Sequence, residues 1–319
     1  MSALGERTDV AFDSGGEQCR GWLFRPDAKT AIPAGESPDA ASDAVSAGTV
    51  PCVVMAHGLG ATKEGKLADF AARFVEAGAA ALVFDYRHFG DSDGVPRELI
   101  DIKLQHEDWQ AAIAHARTLD GIDPNRIALW GSSFSGGHVI WTAARDPRIA
   151  AVVAQIPHTS GPAGVLATGP KRIAYFAYAA LRDQIGRLFG REPFYIPVIG
   201  PPGSMATLTT DGAEKLYRDM YPAGWEIPNR AAGRLGLWLG AYSPLRDAAK
   251  VRCPLQVVIG ETDTITPPAP ARKVVDRAPR AELVTYEGGH FDAYFGETFE
   301  QISTAEAEFL AHNLGLPTA

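Results

Sequence analysis

The 319-residue chain carries 30 Lys and Arg against 38 Asp and Glu, a formal net charge of -8, and so lacks the concentrated basic face that nucleic acid or an anionic membrane would require. Its 46% hydrophobic and 21% charged residues exclude global disorder and supply a core. No stretch approaches the roughly 18 to 20 uninterrupted apolar residues of a membrane helix. Small molecules are therefore the expected partners. Cys19, Cys52 and Cys253 are odd in number and form no C-x-x-C pair, which argues against a disulfide framework and for a reducing cytoplasm. The first residues lack the basic-then-apolar pattern of a secretory signal, so export is not expected.

In chain order, residues 9–13 and 18–25 flank Ser14-Gly-Gly-Glu17 and read as a hairpin of two short strands. Residues 26–49, rich in Ala, Ser, Pro, Gly and Asp without periodicity, read as an irregular surface loop. From Val50 onward, short β-branched runs alternate with longer amphipathic stretches, the pattern of a mostly parallel central sheet with helices on both faces. Strands are expected at 52–56, 80–85, 126–130, 150–155, 255–259 and 281–286. Helices are expected at 65–77, 102–118, 135–144, 270–277 and 298–314.

One interval, 158–242, breaks the alternation with many aromatics, Gly and Pro, including Tyr175, Phe176, Tyr178, Phe194, Tyr195 and Trp238. It is read as a helical lid inserted into a single core, dividing the chain into 1–157, 158–242 and 243–319. Of the seven arginines within it, Arg172, Arg182, Arg187, Arg230 and Arg234 belong either to solvated helix faces or to a pocket for an acidic substrate.

Residues 126–138 read RIALWGSSFSGGH, an apolar strand, a turn of small residues and then a helix. Such a turn strains its central residue and lifts that side chain above the sheet. Ser133 stands at the centre and is the candidate nucleophile, with Ser132 and Ser135 as rivals beside it. The turn departs from strict G-x-S-x-G, because Ser135 takes the place of the second glycine. Residues 257–268, VVIGETDTITPP, place Asp263 in a loop just past a strand, with Glu261 as its rival. Residues 283–292, LVTYEGGHFD, place His290 after a strand and two glycines. The order Ser133, Asp263, His290, each following a strand, is that of a nucleophile, an orienting acid and a general base. Residues 51–60, PCVVMAHGLG, end a strand in a flexible turn. There the N–H of Leu59, with that of Phe134, is the candidate oxyanion hole. His158, just after a strand, is a candidate pocket residue, and His57 a structural one.

These segments, with FDYRHFGDSDG at 84–94, resemble the α/β-hydrolase superfamily over nearly the whole chain. Within it they are most similar to the dienelactone-hydrolase and X-Pro-dipeptidyl-peptidase-like group, whose fungal relatives include polyketide transferases. The resemblance implies an α/β-hydrolase fold and a serine hydrolase, a carboxylesterase acting on a small, mainly apolar substrate without metal or organic cofactor. It leaves open an acyl transferase or thioesterase for polyketide or fatty acyl groups, a carbon-carbon bond hydrolase, and a non-catalytic small-molecule binding protein on the same fold. Asp85, Arg87 and Asp91 are expected to be structural, and the oligomeric state is not legible.

Overall fold

The computed structural model describes residues 7–26 and 48–317. The loop expected at 26–49 lies outside the described residues except at its two ends. Strands β1 (Arg7–Ser14) and β2 (Glu17–Phe24) form the expected hairpin, reversing at Gly15 and Gly16, whose φ of 66° and 90° suits residues without a Cβ. The alternating part follows with β3 (Val50–Ala56), α1 (Leu67–Glu76), β4 (Ala80–Phe84), α2 (Ile102–Ala116), β5 (Ile122–Ser132), α3 (Phe134–Ala143) and β6 (Ile149–Gln155). The interval after β6 holds α4 (Gly161–Ala167), α5 (Pro170–Leu188), β7 (Tyr195–Ile196), α6 (Ala213–Asp219), β8 (Ala231–Ala232) and α7 (Gly236–Leu239). Then β9 (Leu255–Gly260), α8 (Pro268–Arg277), β10 (Ala281–Tyr286) and α9 (Gly296–Asn313) complete the chain. The expected elements are all present, with ends shifted by a few residues.

Among the described residues the main sheet has eight strands in the order β1-β2-β4-β3-β5-β6-β9-β10. Strand β2 runs antiparallel to both its neighbours, and the pairs from β4 to β10 are parallel. Val152 of β6 pairs directly with Leu255 of β9, so the interval between them adds nothing to the main sheet; its two short strands pair only with each other.

The period of two along each strand divides the core between the faces. Val54, Ile127 and Leu129 pack with Trp109 and Ile113 of α2, Val139 of α3 and Val274 of α8. Val53, Met55, Ala128 and Trp130 pack with Phe70 and Phe74 of α1 and Ile302 and Phe309 of α9. Helix α2 begins at Asp101, whose carboxylate accepts from the N–H groups of Lys103 and Leu104; such a cap contributes about 1 kcal/mol. No helix among the described residues is long and apolar enough to cross a membrane.

Glu306 of α9 is fully buried, accepts from the Trp130 indole N–H at 2.9 Å through Oε2, and has no partner at Oε1. Burial pushes its pKa up to about 8, against the Trp130 bond, which lowers it. An acid whose pKa is raised on folding adds stability in its protonated form, and that contribution is lost as pH rises from the unfolded carboxyl range through the folded value. Thermal denaturation should therefore show melting temperature falling between about pH 5 and 8. Glu306→Gln, which keeps an acceptor for Trp130, should flatten that fall; an unchanged pH profile would contradict the buried neutral acid.

Candidate active site

The turn from β5 into α3 is the fixed point of the site. Ser133 has φ 57° and ψ -113°, a conformation that costs a non-glycine residue about 1 to 3 kcal/mol and persists only when its surroundings impose it. Here they do. The Ser133 N–H donates to the Gln155 carbonyl at 2.9 Å, and its carbonyl accepts from the His158 N–H at 2.8 Å. A Cβ on Gly131 would stand 2.4 Å from the Ser135 carbonyl oxygen, and one on Gly137 2.3 Å from that of His158, so both positions exclude any side chain.

Serine in place of the second motif glycine has a structural reason. The Ser135 hydroxyl donates to the His57 carbonyl at 2.6 Å and meets the Tyr86 hydroxyl, which in turn accepts from the Trp109 indole N–H at 2.7 Å. Ser132 is equally buried, bonded to the Tyr294 hydroxyl and to Gln155 Nε2. Both rival serines are thus enclosed, whereas Ser133 lines a cavity.

The loops after β9 and β10 converge on Ser133. His290 Nε2 lies 3.0 Å from Ser133 Oγ, and His290 Nδ1 lies 2.7 Å from Asp263 Oδ2. Asp263 Oδ1 accepts from the N–H groups of Ile265 and Thr266 at 2.7 and 2.9 Å. The Thr266 hydroxyl is 2.7 Å from Asp263 Oδ2 and 3.1 Å from the Ile156 carbonyl. Burial alone would raise the Asp263 pKa, but neighbouring His290 and the bonds from His290 and Thr266 hold it below the ordinary carboxylate range. Glu261 is turned away, paired with Arg272 at 2.5 and 2.8 Å. The structure therefore brings together the three residues that the sequence reading chose. Their arrangement can carry a proton from a hydroxyl to an imidazole backed by a carboxylate.

Gly58 sits against Ser133, where a Cβ would come within 2.9 Å of the serine's own Cβ. Leu59 and Phe134 flank Ser133 in the cavity wall, and Phe134 opens α3, whose first N–H groups have no partner within the helix. His57 points elsewhere: it is fully buried, with Nδ1 2.9 Å from the Gly58 carbonyl oxygen and Nε2 3.6 Å from Asp85.

Asp85, Asp91 and Glu64 form an acidic cluster close enough to share a cation. That cation is a side chain. Lys63 Nζ lies 2.7, 2.7 and 2.9 Å from the three carboxylates. Arg87 is likewise structural, its Nε 2.7 Å from buried Asp108.

The cavity above Ser133 measures about 430 Å³. Its wall is largely apolar, from Ile173 and Phe176 of α5, Leu235 and Leu239, and His158 is among the residues that line it. The His158 ring is stacked parallel to Tyr242, its Nε2 has no partner, and burial pushes its pKa down to about 4. Behind Phe134, the Tyr242 hydroxyl is 2.6 Å from His138 Nδ1 and 3.2 Å from His106 Nε2, and burial holds both histidines well below the ordinary range.

The interval 158–242 also braces the site. Val198 packs where a Cβ on Gly60 would be, the Tyr217 hydroxyl donates to the Gly60 carbonyl at 3.0 Å, and the Tyr221 hydroxyl accepts from the Thr62 N–H at 3.0 Å. At its far end it is stapled to the core at Glu98. The Glu98 carbonyl accepts from Ala232 N–H at 3.0 Å, and its carboxylate accepts from Arg230 Nε at 2.9 Å. Sequence reasoning missed Lys63, Tyr217 and Tyr221 altogether, and did not single out Thr266, although a hydroxyl residue three positions after a loop aspartate is a local turn signal.

The family described as serine aminopeptidase, S33 (Hydrolase_4) matches residues 49–295. The chain belongs to this family of α/β-hydrolases. It is 41% identical over 302 residues to the quorum-quenching protein AidA of Acinetobacter baumannii, covering 95% of this chain and 93% of that one. It is 30% identical over 270 residues to a polyketide transferase of Stachybotrys chlorohalonatus, covering 83% and 89%, so the expected kinship with fungal polyketide transferases is borne out. Among solved structures, the α/β hydrolase GrgF of a Penicillium species superposes with a TM-score of 0.80 at 27% identity, covering 98% of this chain and all of that one.

Ser135→Ala should leave the His57 carbonyl and the Tyr86 hydroxyl short of a buried partner, lowering stability by about 1 to 3 kcal/mol in denaturant unfolding. A change below about 0.5 kcal/mol would show that the extra hydroxyl contributes nothing to the turn.

Proposed function

We propose that this chain is a carboxylic-ester hydrolase working through an acyl-enzyme on Ser133. The observation that carries this reading is the hydrogen-bonded row Ser133, His290, Asp263 at the base of an apolar cavity. His290 Nε2 accepts the Ser133 proton as Oγ attacks the ester carbonyl, and the oxygen that becomes negative is received by the N–H groups of Leu59 and Phe134. Collapse expels the alcohol, protonated by His290, and leaves an ester on Ser133. Water, giving its proton to His290, then releases the acid and restores the serine. Asp263 accepts from His290 Nδ1–H throughout, fixing the tautomer and stabilising the imidazolium, while Thr266 steadies the carboxylate.

On this reading residues 158–242 act as a lid that supplies most of the cavity wall and excludes water, and neither metal nor organic cofactor takes part. Free cysteines at 19, 52 and 253 suit a reducing compartment, so the cytoplasm is the proposed location. The likeness to AidA adds a constraint: an enzyme that breaks acyl-oxygen bonds quenches a signal only if that signal carries an ester or lactone. Small lactones therefore belong in the substrate panel. A second reading, acyl transfer from a thioester to an alcohol, is favoured by the Stachybotrys relative's name and uses the same three residues.

Hydrolysis of p-nitrophenyl esters from acetate to decanoate should be measured for the wild type and Ser133→Ala. Loss of the serine should lower kcat by about 10⁴ to 10⁶, and a loss under tenfold would remove Ser133 from the chemistry. With an acyl thioester as substrate, an added alcohol should leave the rate of thioester consumption unchanged under the hydrolase reading. A rate that rises with alcohol concentration, with an ester as product, would establish the transferase.

A further inference from the structure

Among the described residues that line the cavity, none is acidic and Arg172 is the one residue with a permanent charge. His158, the other ionisable residue of the wall besides the serine and threonine hydroxyls, is held neutral by burial. Arginine does not discharge in proteins, and a cation facing apolar surroundings is ordinarily matched by a carboxylate. Arg234 follows that rule, its Nε 2.7 Å from buried Asp183, and half-exposed Arg230 places its Nε 2.9 Å from Glu98. Arg182 lies over the Phe194 ring and bonds the Tyr178 hydroxyl.

Arg172, unlike Arg230 and Arg234, has no carboxylate partner among the described residues and lies over the Phe176 ring, 5.6 Å from its centroid. One terminal nitrogen donates to the carbonyls of Ala206 and Thr207, at 2.7 and 3.2 Å, which holds the guanidinium in place against the strap beside it. Its Nε is buried without a partner. The guanidinium therefore stands fixed, charged and only partly satisfied in the wall of a cavity whose reactive serine lies in the same wall. Its other terminal nitrogen makes no such bond among the described residues, and a charge-assisted bond from a guanidinium to a carboxylate oxygen is about twice as strong as a neutral one.

We infer that Arg172 is a specificity-determining residue that receives an acidic oxygen group, in its simplest form a carboxylate, carried by the substrate away from the bond being cleaved. This deepens the ester-hydrolase reading and rests on it for the reaction, though not for the binding. The preferred substrate then has an apolar chain, matched by Ile173, Phe176, Leu235 and Leu239, between a scissile acyl group and a distal acid. Arg172 acts on substrate binding and takes no part in bond making.

Two series of p-nitrophenyl esters test this, alkanoates from hexanoate to decanoate and the monoesters of the matching dicarboxylic acids. The wild type should favour the acid-ended ester by kcat/KM at one or more chain lengths. Arg172→Gln keeps a donor for Ala206 but removes the charge, and should lower the ratio of acid-ended to methyl-ended kcat/KM at least tenfold; Arg172→Lys should restore part of it. A ratio unchanged between wild type and Arg172→Gln would show that Arg172 only ties α5 to the strap. A wild-type preference for the methyl-ended ester at every length would overturn the inference without any variant.

Calorimetry separates this from the reading on which it rests. Monomethyl suberate should bind Ser133→Ala at least tenfold more tightly than it binds the Ser133→Ala, Arg172→Gln double variant. Arg172-dependent binding without hydrolysis of any ester would sink the hydrolase and leave the acid-binding subsite standing; hydrolysis through Ser133 with no effect of Arg172 would do the reverse.

Discussion

A serine backbone forced to φ 57° is the constraint on which the rest of the site depends. It is held there because chain passes too close on every side for relaxation: Gly58 against the serine itself, Gly131 beneath the Ser135 carbonyl, Gly136 against Pro157 and Gly137 under the His158 carbonyl. The same turn sends consecutive serines to different places. Ser132 enters the core beside Tyr294, Ser133 faces the cavity, and Ser135 ties the turn to the end of β3. With that point fixed, the loops after β9 and β10 need only present one carboxylate and one imidazole to it.

Charge around the site is arranged by separation. The acid is held ionised by its bonds to His290, Thr266 and two backbone N–H groups, while His57, His106, His138 and His158 are kept neutral by burial. Neutral imidazoles offer both a donor and an acceptor, so they can satisfy a polar floor beside Phe134 without competing electrostatically with the reacting pair. Lys63 does a parallel task outside the cavity, bridging Asp85, Asp91 and Glu64 and so joining the loop after β4 to the turn that follows Leu59.

What the sequence made legible was what depends on local order. The strands have runs of β-branched residues, the turn at Ser133 has its density of small residues, and Asp263 and His290 each follow a strand directly. All of these survive as patterns in one dimension. The bracing contacts do not. Tyr217 and Tyr221 reach residues more than 150 positions away, and nothing near them marks that destination. Arg172, Arg230 and Arg234 look alike as letters, and only the positions of Asp183 and Glu98 distinguish the two that are paired from the one that lines the cavity. Serine at position 135 weakened the motif on paper, yet its hydroxyl is what links the turn to His57 and Tyr86.

The staple at Glu98 bears on how the cavity can admit and release a molecule. Glu98 itself sits at φ 53°, with its N–H bonded to the His88 carbonyl, its own carbonyl bonded to Ala232 and its side chain to Arg230. The nearby Tyr195 hydroxyl donates to Arg97. That seam joins the interval to the core through backbone and side chains together, whereas α5 shows solvent a row of apolar side chains, Leu181, Ile185 and Leu188. The cavity wall is thus fastened to the core by different means on its two sides: Leu235 lies three residues from Ala232 in that seam, whereas Phe176 and Arg172 ride on α5.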